Sequence, residues 1–308
     1  MKAVQKNGRG ILNVSRSLLW IIGRLPLRLR YAAFWWLFSR VIAFNYGAPA
    51  HAQVADIFAR TLKLPDADAA RLSDAYFRNL IAGYACSSAL ALEPQGRSTA
   101  PLLSMSSDEA LPRDKPLLFF ITHMSGYQVP SVYLAREFAA STSLSLREAN
   151  ESLRAGIILG GRNMIDILTD RGVTLINLPS FRAIKDADDA FARGTPVISF
   201  IDANAAAPDS PVTSNFLGYR CPVQTGLIGL ARRRGAAIVL GEMSLQEHAW
   251  PFRHKFTLRL QRQRGLEQDA DIKPEVDRIF EELGQRIVAD PPRWTLWRYY
   301  DQFKSAPG

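Results

Sequence analysis

Leu117-Leu118-Phe119-Phe120-Ile121-Thr122-His123 is the stretch on which the fold turns. The run from Leu117 to Thr122 is short, apolar and unbroken, the pattern of a strand covered on both faces. Working outward toward the C-terminus, Val173 to Asn177 repeats that pattern, and a charged helix follows over about 182–193. Gly194-Thr195-Pro196 stops the helix, and Val197 to Ile201 resumes the sheet. An irregular stretch, 203–222, leads into a helix over 223–234. Ala236 to Leu240 is the next strand, and Lys255 to Leu260 alternates as an edge strand does. A last helix near 274–289 precedes an aromatic tail with Trp294, Trp297, Tyr299 and Tyr300. Strands alternating with helices predict an α/β fold: a mostly parallel open sheet with helices on both faces.

Toward the N-terminus the pattern changes. A polar linker rich in Pro and Ser occupies about 93–116, and residues 52–64 and 68–92 read as helices. Leu72, Tyr76, Leu80 and Tyr84 form an apolar stripe along the second of these. Before them, Ser17 to Tyr46 concentrates apolar residues, but Arg24, Arg28, Arg30 and Arg40 cut the run. No uninterrupted stretch reaches the roughly 18–20 residues of a spanning helix. Pro26 opens an amphipathic helix there, with Tyr31, Phe34, Trp35, Leu37 and Phe38 as its broad apolar surface. Arginine stems that snorkel and tryptophans that favour the interface suit a helix lying on a membrane surface. The expected division is a membrane-anchoring segment over 1–50 and a single α/β domain over 51–308.

Composition narrows the partners. With 308 residues, a formal net charge of +9 and a pI near 9.8, the chain attracts anions: nucleic acid, acidic lipid headgroups or an acidic carrier protein. No recognised nucleic-acid module accompanies the basic clusters Arg232-Arg233-Arg234 and Arg259, Arg262, Arg264, so no nucleic-acid partner is expected. The cysteines, Cys86 and Cys221, lie far apart and outside any CxxC spacing, which argues against a disulfide framework or a zinc site.

Ligands of open α/β sheets bind beyond the carboxyl ends of the strands. His123 follows the first strand, Asp202 follows Val197 to Ile201, and Glu242 lies just past Leu240. Three ionisable groups are therefore predicted at one sheet edge. The other histidines, His51, His248 and His254, sit in ordinary polar contexts. Phosphate-binding glycine loops, HExxH and the GxSxG nucleophile elbow are all absent.

At this point the chain resembles a family. Leu25-Pro26-Leu27-Arg28-Leu29, then Tyr76-Phe77-Arg78-Asn79-Leu80, look like the opening of the bacterial lipid A late acyltransferases, within the wider lysophospholipid acyltransferase group. His123-Met124-Ser125-Gly126-Tyr127-Gln128 falls where that family has its His-x4-Asp/Glu motif, and Ser199-Phe200-Ile201-Asp202 resembles the segment with its later aspartate. Asn215-Phe216-Leu217-Gly218, Thr225-Gly226, Ala231-Arg232 and Gly235-Ala236-Ala237 follow in the family's order, as does the ending from Asp290 to Lys304. The resemblance runs over roughly residues 24–304.

It implies transfer of a fatty acyl chain from an acyl carrier protein or coenzyme A thioester to a hydroxyl or amine of a lipid-like acceptor. The setting would be the cytoplasmic face of a bacterial inner membrane, with no metal or prosthetic group. His123 would be the general base, and Arg147 or Arg162 the downstream basic residue for phosphate or oxyanion. The departure is Gln128, where the motif has a carboxylate. A glutamine can orient the imidazole but cannot neutralise an imidazolium. Three readings follow: a slow enzyme, another carboxylate in that role with Asp202 or Glu242 as candidates, or a membrane-associated binding protein for acyl chains or carrier protein. On the inherited mechanism, Gln128→Glu would raise activity.

Overall fold

The computed structural model describes residues 12–94, 96–146, 157–159, 162–178, 180, 182–202, 210–223, 225–247, 250–268 and 271–305. In chain order its elements are β1 (Leu12–Val14), α1 (Arg16–Arg24), α2 (Leu27–Leu62), α3 (Asp66–Ala91), β2 (Leu103–Ser107), β3 (Leu117–Ile121), α4 (Val129–Glu137) and β4 (Ser141–Leu146). They continue with β5 (Ile157–Leu159), β6 (Arg162–Asn163), α5 (Met164–Asp170), β7 (Val173–Leu178), α6 (Ala183–Ala192), β8 (Val197–Phe200), β9 (Thr213–Phe216) and β10 (Tyr219–Pro222). The last are α7 (Thr225–Arg233), β11 (Ala237–Gln246), β12 (Lys255–Arg262), α8 (Arg264–Glu267), α9 (Lys273–Ala289) and α10 (Tyr300–Ser305).

The main sheet has seven strands in the order β2-β12-β11-β3-β8-β4-β7. Strands β11, β3, β8, β4 and β7 run parallel; β12 is antiparallel to β11 and carries β2 parallel to itself. The predicted mostly parallel α/β sheet is thus the observed one. Leu117–Ile121 is buried at every position, as a strand covered on both faces must be. Three elements of sheet were hidden from a hydropathy reading. β2 and β4 are more than half serine and threonine (Leu-Ser-Met-Ser-Ser and Ser-Thr-Ser-Leu-Ser-Leu), and the hairpin β9–β10 lies inside the stretch read as irregular. β4 is an interior strand between β8 and β7; the Ser141 hydroxyl hydrogen-bonds the Ser131 carbonyl of α4, so a polar side chain there is satisfied locally.

The helical region differs more. α2 is two helical stretches that meet at a kink, non-helical at Gly47, where φ is +32°, with Pro49 just beyond. Both stretches belong to the helical layer that packs on α3. Most of the face assigned to the membrane is core instead: Tyr31 and Phe34 are fully buried, Phe38 is 2% exposed, and Trp35 and Leu37 are partly covered. Tyr31 Oη hydrogen-bonds His254 Nδ1 at 2.7 Å, fastening α2 to the foot of β12. The apolar residues that α1 and α2 expose are others: Leu18, Trp20, Ile21, Leu29 and Trp36. An amphipathic pattern gave the helix but not the direction of its apolar side, because both sides are rich in large apolar residues. Among the described residues, no helix is long and apolar enough to cross a membrane.

Arg30 lies at the junction of α1, α2 and α3 and is 1% exposed. Its guanidinium pairs with Glu93 at 2.6 Å and also donates to the carbonyls of Ala89, Gly23 and Leu25. Of the arginines that cut the apolar run, this one is spent inside the protein.

Candidate active site

The connections leaving β3 and β8 run in opposite directions. β3 leads through α4 to β4 on one side, while β8 leads onward to β11 on the other. That makes the carboxyl ends of these adjacent parallel strands the topological switch point of the sheet, the place where open α/β sheets bind their ligands. The register pairs Ile121 with Phe200, so two steps further His123 comes level with Asp202.

The two side chains meet. His123 Nδ1 lies 2.7 Å from Asp202 Oδ1, and the His123 backbone N–H donates to Asp202 Oδ2 at 2.8 Å. The imidazole side chain is 12% exposed and the carboxylate completely buried. A buried carboxylate accepts rather than donates when ionised, so it selects the tautomer with the proton on Nδ1 and leaves Nε2 as the basic nitrogen. Tyr127 and Phe200 flank the imidazole, with ring centroids 4.8 and 4.3 Å from it. These rings limit its rotation and lower the polarity around it.

Two glycines shape the loop behind the histidine. Gly126 has φ +82°, a left-handed conformation that glycine adopts without strain. Its backbone abuts α3 so closely that a β-carbon at Gly83 would sit 2.7 Å from the Gly126 nitrogen. Helix α3 thus presses directly on the loop that carries His123.

The C-terminal tail completes the site. The Trp294 indole N–H donates to Asp202 Oδ2 at 2.9 Å. Thr295 donates to the His123 carbonyl from both its backbone N–H and its hydroxyl, each at 2.7 Å. Met124 and Trp294 form an isolated antiparallel bridge. Tyr76 Oη donates to the Thr295 carbonyl, tying this tail to α3. A pattern search for titratable residues passes over Trp294 and Thr295. Their one signal in the sequence was the ordered ending Asp290-Pro291-Pro292-Arg293-Trp294.

The remaining candidates scatter. Gln128 caps α4, and its Oε1 is buried without a hydrogen-bond partner among the described residues. The nitrogen it was expected to orient is held by Asp202. Glu242 stands at the same sheet edge, level with Thr122 beside β3, but its carboxylate accepts from Arg286 on α9. Arg162 lies on β6, in a separate small sheet with β1 and β5. Arg147 and His248 lie outside the described residues. His51 stacks on Phe77 and bonds Asp74, and His254 is 6% exposed against Tyr31, so neither joins the pair of His123 and Asp202. Among the described residues no cluster of His, Cys, Asp and Glu could hold a metal ion. Tyr219 and Cys221, on the hairpin near Asp202, are both pushed well above their ordinary pKa, chiefly by burial; the carboxylate's charge adds to this for Cys221, and for Tyr219 it follows the effect of Cys221. Both stay neutral beside it.

Because Asp202 already serves Nδ1, Gln128→Glu is expected not to raise kcat/KM. A recovery approaching 10⁴-fold, the scale of repairing an amide-for-carboxylate defect in a catalytic triad, would instead put residue 128 in the dyad.

No family model matches this chain, and no curated protein matches it. Among solved structures it is similar to the 1-acyl-sn-glycerophosphate (LPA) acyltransferase PlsC from Thermotoga maritima, at 14% identity, over 84% of this chain and 97% of that one, with a TM-score of 0.37.

Proposed function

We propose that this protein is an acyltransferase in which His123 is the general base and Asp202 its orienting carboxylate. The buried His123–Asp202 pair at the switch point is the observation that carries this reading. Nε2 of His123 takes the proton of an acceptor hydroxyl or amine as that group attacks the carbonyl carbon of an acyl thioester. The tetrahedral intermediate collapses, the thiolate leaves, and the imidazolium returns the proton to it. Asp202 stabilises the imidazolium while it exists. The protein itself supplies base, alignment and a dry environment, and the acyl thioester is a co-substrate.

A carrier-protein or coenzyme A thioester as donor, and a lipid-like acceptor, are supported by the motif order of the sequence and by its net positive charge. Membrane-surface attachment, at the cytoplasmic face of a bacterial inner membrane, is supported by what α1 and α2 expose. Trp20, Ile21 and Trp36 are each more than half exposed, and Arg24 and Arg40 lie over the rings of Trp20 and Trp36. Tryptophan with arginine at hand is the composition that headgroup regions favour.

The test is lipid and metabolite mass spectrometry of cells with the protein, without it, and with His123→Ala. One acylated species is expected to vanish from both deficient strains. A profile that changes on deletion but not with His123→Ala would overturn the catalytic role and favour a protein that only binds acyl chains or their carrier.

A further inference from the structure

The carboxylate of Asp202 has three donors, and the proposed reaction explains only one of them. Oδ1 orients the imidazole. Oδ2 accepts from the His123 backbone N–H and from the indole N–H of Trp294. These two are not equivalent. The backbone amide belongs to the residue being oriented and moves with its loop. The indole comes from a segment 92 positions away in sequence that is also tied to α3 through Tyr76. Trp297 Nε1 donates to the Pro291 carbonyl and closes the turn before Trp294. The Trp294 ring is fully buried, edge-on to Phe216 and Trp297.

An indole N–H is a donor only. It stabilises the anionic carboxylate, cannot take its proton, and occupies Oδ2 so that Nδ1 meets Oδ1 in a single arrangement. The same segment pins the main chain of the base through Thr295. We infer that Trp294 is a positioning residue of the site. Its N–H fixes the rotamer of Asp202, so that the C-terminal tail holds both members of the dyad at once. The inference rests on the reading of His123 as a base, and its test separates the two.

The experiment compares the full-length protein with Trp294→Phe, Asp202→Asn and the double variant. Carbethoxylation of His123 by diethyl pyrocarbonate, followed by peptide mass spectrometry against pH, reads the dyad's protonation without any substrate. A buried carboxylate deprived of one donor makes the pair take up a proton more readily. The midpoint for His123 is therefore expected at higher pH in Trp294→Phe. Tyr219 and Cys221 face the carboxylate from the hairpin but stay neutral through this range, so the change belongs to the pair. Acyl transfer is expected to fall about tenfold or more. Trp294→Phe should add little further loss in an Asp202→Asn background.

An unchanged midpoint in folded Trp294→Phe, or losses that simply add, would overturn the positioning role. If Trp294→Phe does not fold, the indole resonance of Trp294 in the unmodified protein decides. It should titrate with the His123 midpoint, and a resonance blind to that titration overturns the inference. A shifted midpoint in a protein that transfers no acyl group would leave Trp294's role standing and remove the acyltransferase reading.

Discussion

Asp202→Asn is expected to lower kcat/KM for acyl transfer by about 10⁴-fold in a protein that still folds, the scale of the same change in a serine-protease triad. The structure gives the reason here. Two fixed N–H donors, from the His123 backbone and from Trp294, converge on Oδ2. An asparagine must turn its carbonyl oxygen toward them, because an amide NH₂ in that place would set donor against donor. Its NH₂ then faces Nδ1 of His123 and donates to it. The proton moves to Nε2, the nitrogen that should receive the acceptor's proton, and the base is lost to the wrong tautomer. Steady-state kinetics measures the loss, and nitrogen NMR of the imidazole reads the tautomer directly. Activity within about tenfold of the unmodified protein would sink the dyad as the catalytic unit.

The largest expected effect on stability is at Arg30. Arg30→Ala leaves the Glu93 carboxylate buried without its counter-charge, and removes a donor from the carbonyls of Ala89, Gly23 and Leu25. Breaking a buried pair by deleting one member costs about 3–5 kcal/mol, because the survivor keeps its desolvation penalty and loses its partner. Urea denaturation should show a correspondingly lower midpoint with a similar slope. Replacing both residues with apolar side chains of similar size should cost less than Arg30→Ala alone. A loss below about 1 kcal/mol would mean that the pair is solvated in solution and that the N-terminal helices sit differently. The effect reaches the site too, since α3, which ends against Arg30, is the helix whose Gly83 bears on Gly126.

How much of this was legible in the sequence can be seen residue by residue. The strand Leu117–Ile121 and the parallel sheet around it followed from runs of apolar residues, since burial on both faces leaves no room for alternation. β2 and β4 were not legible, because strands rich in serine and threonine read as loop. His123 and Asp202 were found by their place at strand ends. Gln128 was given a role by spacing alone, yet the residue that bonds the ring lies 79 positions away. The N-terminal helix was visible from Pro26 and its apolar content. Which of its sides would be covered was not, because that depends on α3 and β12 arriving against it.

The sequence by itself determined the α/β architecture and the two ionisable residues at one sheet edge, since hydropathy and strand ends are local properties. Only the tertiary structure decided that Asp202 serves His123, that Trp294 serves Asp202, and that Arg30 faces inward. Each of those facts is a meeting of side chains from distant segments, settled by packing and by the cost of leaving a buried polar group without a partner.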